Sequence, residues 1–158
     1  MGFLRRKWVW IAIGLPILMV AWLVFRPEKL WINQRVNEPA PFASASEARP
    51  IFAGRLEGVA HATSGRATIY ESLGGKRYLR LTDFTTSNGP DVHVLLARAE
   101  DSALDQKIVK GNLDYVELGK GNQNYDVPAA VDLQKYNAVV IYCERFNAVF
   151  GVALGESL

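Results

Sequence analysis

Three side chains beyond the first apolar segment carry sulfur or imidazole nitrogen, the atoms that redox and metal chemistry would use: Cys143, His93 and His61. Cys143 is the only cysteine, so the chain can form neither an intramolecular disulfide nor a cysteine-rich zinc site. A lone cysteine suits three roles: a small buried hydrophobe, a reactive thiol favoured by a basic neighbour such as Arg145, or a thiolate ligand to haem or another metal. The sequence leaves all three open.

The two histidines have weaker patterns around them. His93 shares a face with Asp91 and Leu95 if Asp91 to Ala97 is a strand, and a carboxylate beside an imidazole is a common orienting arrangement at cofactor sites. A single histidine on a strand is also often a hydrogen-bonded structural residue. His61 lies in the stretch H-A-T-S-G, where it either stabilises a turn or contributes to a cofactor site.

No motif of a hydrolase, kinase or dinucleotide-binding protein is present. The oxygen-rich stretches from Asp83 to Asp91 and from Asn122 to Asp126 suggest a calcium-stabilised surface domain as one alternative. They lack the ligand spacing of an EF-hand loop.

The element that positions Cys143 is the segment from Ala138 to Phe150, whose first half is β-branched or aromatic and predicts a strand. Strand alternation puts Val139, Ile141, Cys143 and Arg145 on one face, and Val140, Tyr142, Glu144 and Phe146 on the other. Cys143 therefore lies near a strand end, where the apolar residues give way to charged ones.

Short β-type runs separated by turn signals fill the chain from Ile51 onward. Leu73-Gly74-Gly75-Lys76 between two alternating runs predicts a hairpin, and Ile108 to Val116 predicts one or two further strands. About eight strands without a long amphipathic helix predict an all-β fold, a β-sandwich or a barrel. Of the two we predict the antiparallel β-sandwich.

The N-terminal part predicts a membrane anchor. Residues 1–7 form a basic tail, and Trp8 to Phe25 is free of charged side chains and, as a helix of about 27 Å, long enough to span the hydrocarbon core. A cleaved signal peptide is the alternative, but no small-residue cleavage site follows Phe25 closely. Residues 26–50 contain four of the seven prolines and predict an extended linker to a domain over residues 51–158.

Charge sets the orientation and excludes one class of partner. The contiguous Arg5, Arg6 and Lys7 favour the N-terminus inside, so a single-pass protein of the cell membrane would hold its C-terminal domain in the periplasm or extracellular space. Four of the 18 basic residues flank the apolar segment, which leaves 14 against 16 acidic residues in the rest. Such a domain has no basic field for nucleic acid.

Several blocks of the sequence resemble the DM-thirteen domain family, an electron-transfer-type domain. They are H-A-T-S-G at His61 to Gly65, L-R-L-T-D-F-T-T-S-N-G-P-D-V-H-V from Leu79, G-N-Q-N-Y-D-V-P from Gly121, and Y-N-A-V-V-I-Y-C-E-R-F-N-A-V-F-G-V-A-L from Tyr136, with F-A-G near Phe52. The resemblance implies a compact extracellular β-sandwich whose signature cysteine, matching Cys143, is a redox thiol or a ligand to a prosthetic group such as haem.

The leading hypothesis is a membrane-tethered extracytoplasmic redox module. Cys143 would be the redox thiol or cofactor ligand, and His93 and His61 would be cofactor-binding neighbours, with Asp91 orienting His93 if its strand lies alongside. A lone thiol needs a redox protein partner, a sulfenate step or a bound cofactor to complete a cycle. The rival hypothesis is a tethered, non-catalytic binding or adhesion module in which Cys143 is core packing.

Overall fold

A computed structural model describes residues 2–25, 36–42, 47–100 and 114–158. Residues 26–35 and 43–46 of the predicted linker, and most of the strand region predicted over 108–116, lie outside the described residues. By its contacts the chain divides into two units, residues 1–33 and residues 34–158.

The first unit contains one helix, α1 (Gly2–Phe25), with Pro16 inside it. The predicted N-terminal helix is therefore present, and it begins within the stretch assigned to a basic tail. Among the described residues, no helix combines the length and the apolarity that crossing a membrane requires. The assignment of residues 8–25 as a transmembrane signal anchor is thus not confirmed.

The second unit is built of antiparallel strands. Those in the described residues are β1 (Ala48–Gly58), β2 (Thr63–Ser72), β3 (Arg77–Thr86), β4 (Val92–Ala97), β5 (Tyr115–Lys120), β6 (Asn124–Val127), β7 (Ala138–Cys143) and β8 (Ala148–Ser157). The predicted hairpin is confirmed between β2 and β3, where Gly75 takes a φ of 76° and its N–H donates to the Ser72 carbonyl at 2.9 Å. Glycine adopts such a positive φ at little cost.

These eight strands form one sheet in the order β5-β4-β7-β8-β1-β2-β3-β6. The two outermost strands, β5 and β6, follow each other in the chain and are separated only by residues 121–123. Because so short a turn joins the two edges, the sheet curls until they come into contact. The result is a nearly closed antiparallel barrel.

The barrel corrects the prediction of a β-sandwich, while the all-β antiparallel class and the number of strands are confirmed. A sandwich and a barrel both bury one face of each strand, so they produce the same alternation in the sequence. What separates them is whether the sheet is continuous. Here β8 pairs with β7 on one side and with β1 on the other, which joins all the strands into one sheet.

Apolar side chains collect on both faces of this sheet. The larger cluster fills the barrel interior with buried residues from every described strand except β5, whose Val116 and Leu118 pack against it partly exposed. Its members include Phe52, Ile69, Leu79, Leu96, Ile141, Cys143 and Phe150. A smaller cluster lies on the outer face of β4, β7 and β8, and contains Leu95, Ala97, Ala138, Val140, Tyr142 and Val149. Burial on both faces explains why β7 is uniformly apolar.

Part of the predicted linker is fixed on the barrel. The Glu38 carboxylate accepts hydrogen bonds from the backbone N–H groups of Gln123 and Asn124, both at 2.9 Å. The Arg80 guanidinium donates to the carbonyl oxygens of Glu38 and Pro39 at 3.1 Å each. Residues 36–42 are therefore attached beside β3 and β6 and are not a free spacer.

Candidate functional site

The two most informative sequence blocks, N-G-P-D-V-H-V and V-I-Y-C-E-R-F, lie side by side. Strands β4 and β7 pair so that Val92 is opposite Cys143 and His93 is opposite Tyr142. Beyond the strand ends, the Glu144 backbone N–H donates to the Asp91 carbonyl at 2.9 Å. The strand that contains His93 therefore lies alongside the cysteine strand, an adjacency that the sequence analysis had left as a condition.

Cys143 points into the barrel. It alternates with Val140 and Tyr142 and shares the interior cluster with Val139 and Ile141, as the strand pattern predicts. Its thiol is free of any disulfide and 0% exposed. The alternation ends there, because residues 144–147 form a turn and Asn147 takes a φ of 49°. In this conformation the sulfur is closed off from solvent.

His93 points to the opposite face of the same strand pair, so the sheet separates it from the sulfur. Its side chain is only 9% exposed and has a carboxylate at each ring nitrogen. Nδ1 lies 2.5 Å from Glu117 Oε1, and Nε2 lies 3.0 Å from Asp91 Oδ1 and 3.5 Å from Glu144 Oε2. Asp91 thus contacts the imidazole as the sequence suggested, but neither residue contacts Cys143.

Strand β5 supplies two more charged groups to this cluster. A β-bulge shifts the pairing so that Val94 is opposite Gly119 and Leu95 is opposite Glu117. Because the extra residue reverses the alternation, Glu117 and Lys120 both reach the cluster although they are three positions apart. Gly119 takes a φ of 140°, which glycine adopts readily.

Lys120 neutralises part of the negative charge around His93. Its Nζ lies 2.8 Å from Asp91 Oδ1, the same oxygen that His93 contacts. The Lys120 ammonium has the largest effect on the Asp91 carboxyl and, together with the His93 ring, holds its pKa below the ordinary value, against an opposing effect of burial. Asp91 is therefore a carboxylate at neutral pH.

His61 lies elsewhere, in the turn between β1 and β2. Its side chain is exposed, and its ring packs against that of Phe150 with centroids 4.2 Å apart. The next strand begins at Thr63, whose hydroxyl donates to the Phe150 carbonyl at 3.1 Å. Phe150 is itself fully buried, so His61 covers one end of the core. The sequence analysis did not predict this packing contact, and neither of its two roles for His61 is tested by it.

The surroundings of Cys143 do not fit a haem. A bound haem would need open space beside the sulfur, whereas the thiol is 0% exposed among packed core residues. One surface depression is lined by residues 58–64 with Thr85 and another by residues 48–50 with 71–73 and Gly75, and Cys143 lines neither. His93 faces away from the sulfur, so it cannot complete the same ligand set.

Sequence reasoning found part of the His93 cluster. The pair Asp91 and His93 follows from strand alternation, but Glu117 and Lys120 come from a strand more than 20 residues later, and a bulge places them. Glu144 was assigned to a strand face and not to a site. A glycine inside the run Y-V-E-L-G-K was the available sign of a bulge.

Fold and site together define an antiparallel β-barrel with a buried single thiol inside and a histidine–carboxylate cluster outside. A scan against protein-family models matches residues 55–154, more than half of the chain, to the family described as Electron transfer DM13. The chain belongs to the DM13 family, as its sequence blocks suggested. No curated protein and no solved structure matches it significantly.

Proposed function

We propose that this protein is an electron-transfer module in which Cys143 is a guarded thiol, closed inside the barrel at rest and reactive when the end of β7 opens. The family description supports the redox class. The observation that carries the choice of residue is that Cys143 is the last residue of β7 and is followed at once by the turn 144–147. Opening this turn would uncover the sulfur while most of the sheet stays paired.

The chemistry of a single thiol requires a partner. On opening, the Cys143 thiolate attacks one sulfur of a partner protein's disulfide, the S–S bond breaks, and the other partner sulfur leaves as a thiolate. One thiolate of a second protein, a dithiol donor, then attacks the Cys143 sulfur of the mixed disulfide, and the remaining partner sulfur leaves as a thiolate. The donor's other thiolate closes the donor's own disulfide and releases Cys143 as a thiolate. Two electrons have then passed from the donor dithiol to the partner disulfide, and Cys143 ends the cycle unchanged.

The complete burial of Cys143 favours a second candidate. In a non-catalytic binding or adhesion module the sulfur is only a small hydrophobe in the core, and fully buried free cysteine is common in that role. The two candidates differ in how the thiol becomes reachable: by a local opening in the first, and only by unfolding of the whole barrel in the second.

Labelling of the full-length protein with a thiol reagent at increasing urea, below the unfolding transition, distinguishes them. A local opening exposes little surface, so the labelling rate should barely depend on urea. If the thiol is reached only by unfolding of the whole barrel, the free energy of opening falls with the full m-value, about 1–3 kcal/mol per molar urea. The labelling rate should then rise about fivefold or more for each molar increase in urea.

Two variants control this measurement. Cys143→Ala has no thiol and gives the background. Leu73→Cys in that variant places a thiol at a residue 87% exposed and gives the rate of an open cysteine. A steep urea dependence from zero denaturant upward would remove the guarded-thiol proposal and leave the binding module. Visible spectra with added haem should show no ligation in either case, because the sulfur has no open space beside it.

A membrane tether and an extracytoplasmic barrel are the second part of the proposal. Support comes from α1, whose large apolar side chains are exposed wherever the structure describes them between Trp8 and Leu23, Trp8 by 68% and Leu18 by 70%. Exposed apolar side chains along residues 8–23 favour an apolar environment, which a lipid bilayer would provide. The basic residues before Trp8 support an N-terminus on the inside.

Cell fractionation tests the tether. The wild-type chain should stay with the membranes after alkaline carbonate extraction, and protease added to intact spheroplasts should digest the barrel. Replacing Leu15 and Leu18 together with arginine should release the chain, because a charged residue at the centre of a span costs about 2.5–3.5 kcal/mol. Release of the wild-type chain would contradict the tether. Protection of the barrel until lysis would contradict the orientation.

A further inference from the structure

We propose that Asp91, His93 and Glu144 bind a divalent first-row transition metal ion on the outer face of the β4–β7 pair. This site is independent of Cys143 and of the function proposed above. Each of the three residues offers one ligand atom, and these atoms lie within 4.8 Å of one another.

The spacing of the atoms fits a coordination sphere. Two ligands of a tetrahedral ion with bonds of about 2.0–2.1 Å are about 3.3 Å apart. His93 Nε2 lies 3.0 Å from Asp91 Oδ1 and 3.5 Å from Glu144 Oε2, on either side of that value. Small side-chain movements would therefore suffice for coordination.

The charges around the imidazole favour a positive group at Nε2. With an N–H on Nδ1 directed at Glu117, Nε2 faces the oxygens of Asp91 and Glu144. Either a hydrogen on Nε2 or a metal ion can join these atoms, and the ion would take the place of the hydrogen because a ligating nitrogen must present its lone pair. Glu117 on the far nitrogen is the carboxylate partner that metal-ligating histidines commonly have, because it fixes the tautomer and the ring orientation.

The ligand types and their exposure define the ion. One imidazole nitrogen with two carboxylate oxygens suits Zn²⁺, Fe²⁺ or Mn²⁺ better than Cu⁺, which prefers sulfur. The side chains of Asp91 and Glu144 are 32% and 40% exposed, whereas His93 is 9% exposed. The buried imidazole would bind an ion here from the protein side. The coordination positions that face solvent would remain available to water.

Lys120 distinguishes binding at this site from nonspecific adsorption of metal. Its ammonium lies 2.8 Å from Asp91 Oδ1, an oxygen the metal would use, so the lysine and the ion compete for one carboxylate. Removing the ammonium should therefore strengthen metal binding, while removing any other charged member of the cluster should weaken it. A protein that only adsorbs metal on its acidic surface would not respond residue by residue in this way.

Isothermal titration of the metal-free full-length protein with Zn²⁺, together with visible absorption on adding Co²⁺, tests the site. We expect one ion per chain. Asp91→Asn and Glu144→Gln should each lower the affinity at least tenfold, and Glu117→Gln should lower it by about 10–100-fold, as the loss of a supporting carboxylate usually does. Lys120→Met should raise it. Both ligand carboxylates are partly exposed, so the folded barrel should tolerate their replacement, which circular dichroism verifies.

A matched pair elsewhere on the barrel supplies the control. Asp114 forms an ion pair with Lys135, whose Nζ lies 2.8 Å from Asp114 Oδ2. The Lys120 Nζ lies at the same distance from Asp91 Oδ1. Asp114→Asn and Lys135→Met should leave Zn²⁺ binding unchanged. Absence of stoichiometric binding, equal losses in the Asp91 and Asp114 variants, or weaker binding in Lys120→Met would each overturn the proposal.

Discussion

Gly155 in β8 lies against the ring of Phe52 in β1, and replacing it with alanine gives a sharp test of how the barrel is packed. A β-carbon at Gly155 would stand 1.9 Å from Phe52 Cζ and 2.2 Å from Cε2, whereas ordinary contacts begin at 3.4 Å. The ring would have to move by about 1.5 Å, the difference between 1.9 and 3.4 Å. Phe52 is only 1% exposed, so it has no free space to move into.

The expected cost is that of overpacking a filled core. Such substitutions typically destabilise by about 1–3 kcal/mol, and this one should be at the upper end because three ring atoms are overlapped. Urea unfolding of the full-length protein measures the change. All four tryptophans lie at positions 8 to 31, before β1. The signal should therefore be the near-ultraviolet circular dichroism of the tyrosines in the barrel.

Two further variants make the reasoning refutable. Gly74→Ala adds a β-carbon whose nearest neighbour is Ser72 Oγ at 3.9 Å, so it should change stability by no more than about 0.5 kcal/mol. Phe52→Leu shortens the side chain that the new β-carbon of Gly155→Ala would overlap. The losses in free energy of unfolding of the two single variants should therefore sum to at least about 0.5 kcal/mol more than the loss in the double variant. A neutral Gly155→Ala, or strict additivity, would show that the ring does not limit this position.

Three other changes follow from the described contacts. Cys143→Ser should cost about 1–3 kcal/mol in urea unfolding, because it buries a hydroxyl among apolar side chains; a serine variant as stable as the wild type would contradict the sealed core. Burial raises the pKa of Tyr125, against the opposing hydrogen bond to Asn122. A difference titration of ultraviolet absorbance against Tyr125→Phe should place its ionisation above that of free tyrosine, and the associated stability should be lost as pH rises through the raised pKa. Hydrogen bonds from Arg49, which has the larger effect, and from Arg77 lower the pKa of Glu71 below its ordinary value of 4.5. The contribution of Glu71 to stability is therefore present above that pH and is lost as the pH falls through the lowered pKa. The melting temperature should consequently fall less steeply on acidification in Glu71→Gln, and identical slopes would count against these ion pairs.

The local features of the barrel could be predicted from sequence because they depend on neighbouring residues. Alternation identified the face that Cys143 shares with Val139 and Ile141, and the two glycines at 74 and 75 identified a hairpin. The closure of the sheet could not be predicted in this way. It depends on β8 pairing with β1, the first strand of the sheet in the chain, and strands so distant in sequence leave no periodic signal of their pairing.

The candidate sites show the same limit. Strand parity decides which face a side chain points to, but not what covers that face, so the sequence could not tell whether Cys143 was reachable. His93 and Asp91 are two positions apart and were correctly placed together. Glu117 lies on the same face as these two residues only because of the bulge near Gly119. A bulge reverses the alternation of side chains between the two faces, on which the prediction relies.

The C-terminal strand occupies a central position in the barrel, and this has a consequence for how the protein forms. Strand β8 lies between the group β5-β4-β7 and the group β1-β2-β3-β6, and in the described structure it joins these two halves. Neither half can complete its hydrogen bonding until residues 148–157 have been synthesised and have inserted between them. Pairings between such distant segments form slowly. The barrel therefore cannot close before the last strand is available to pair with both halves.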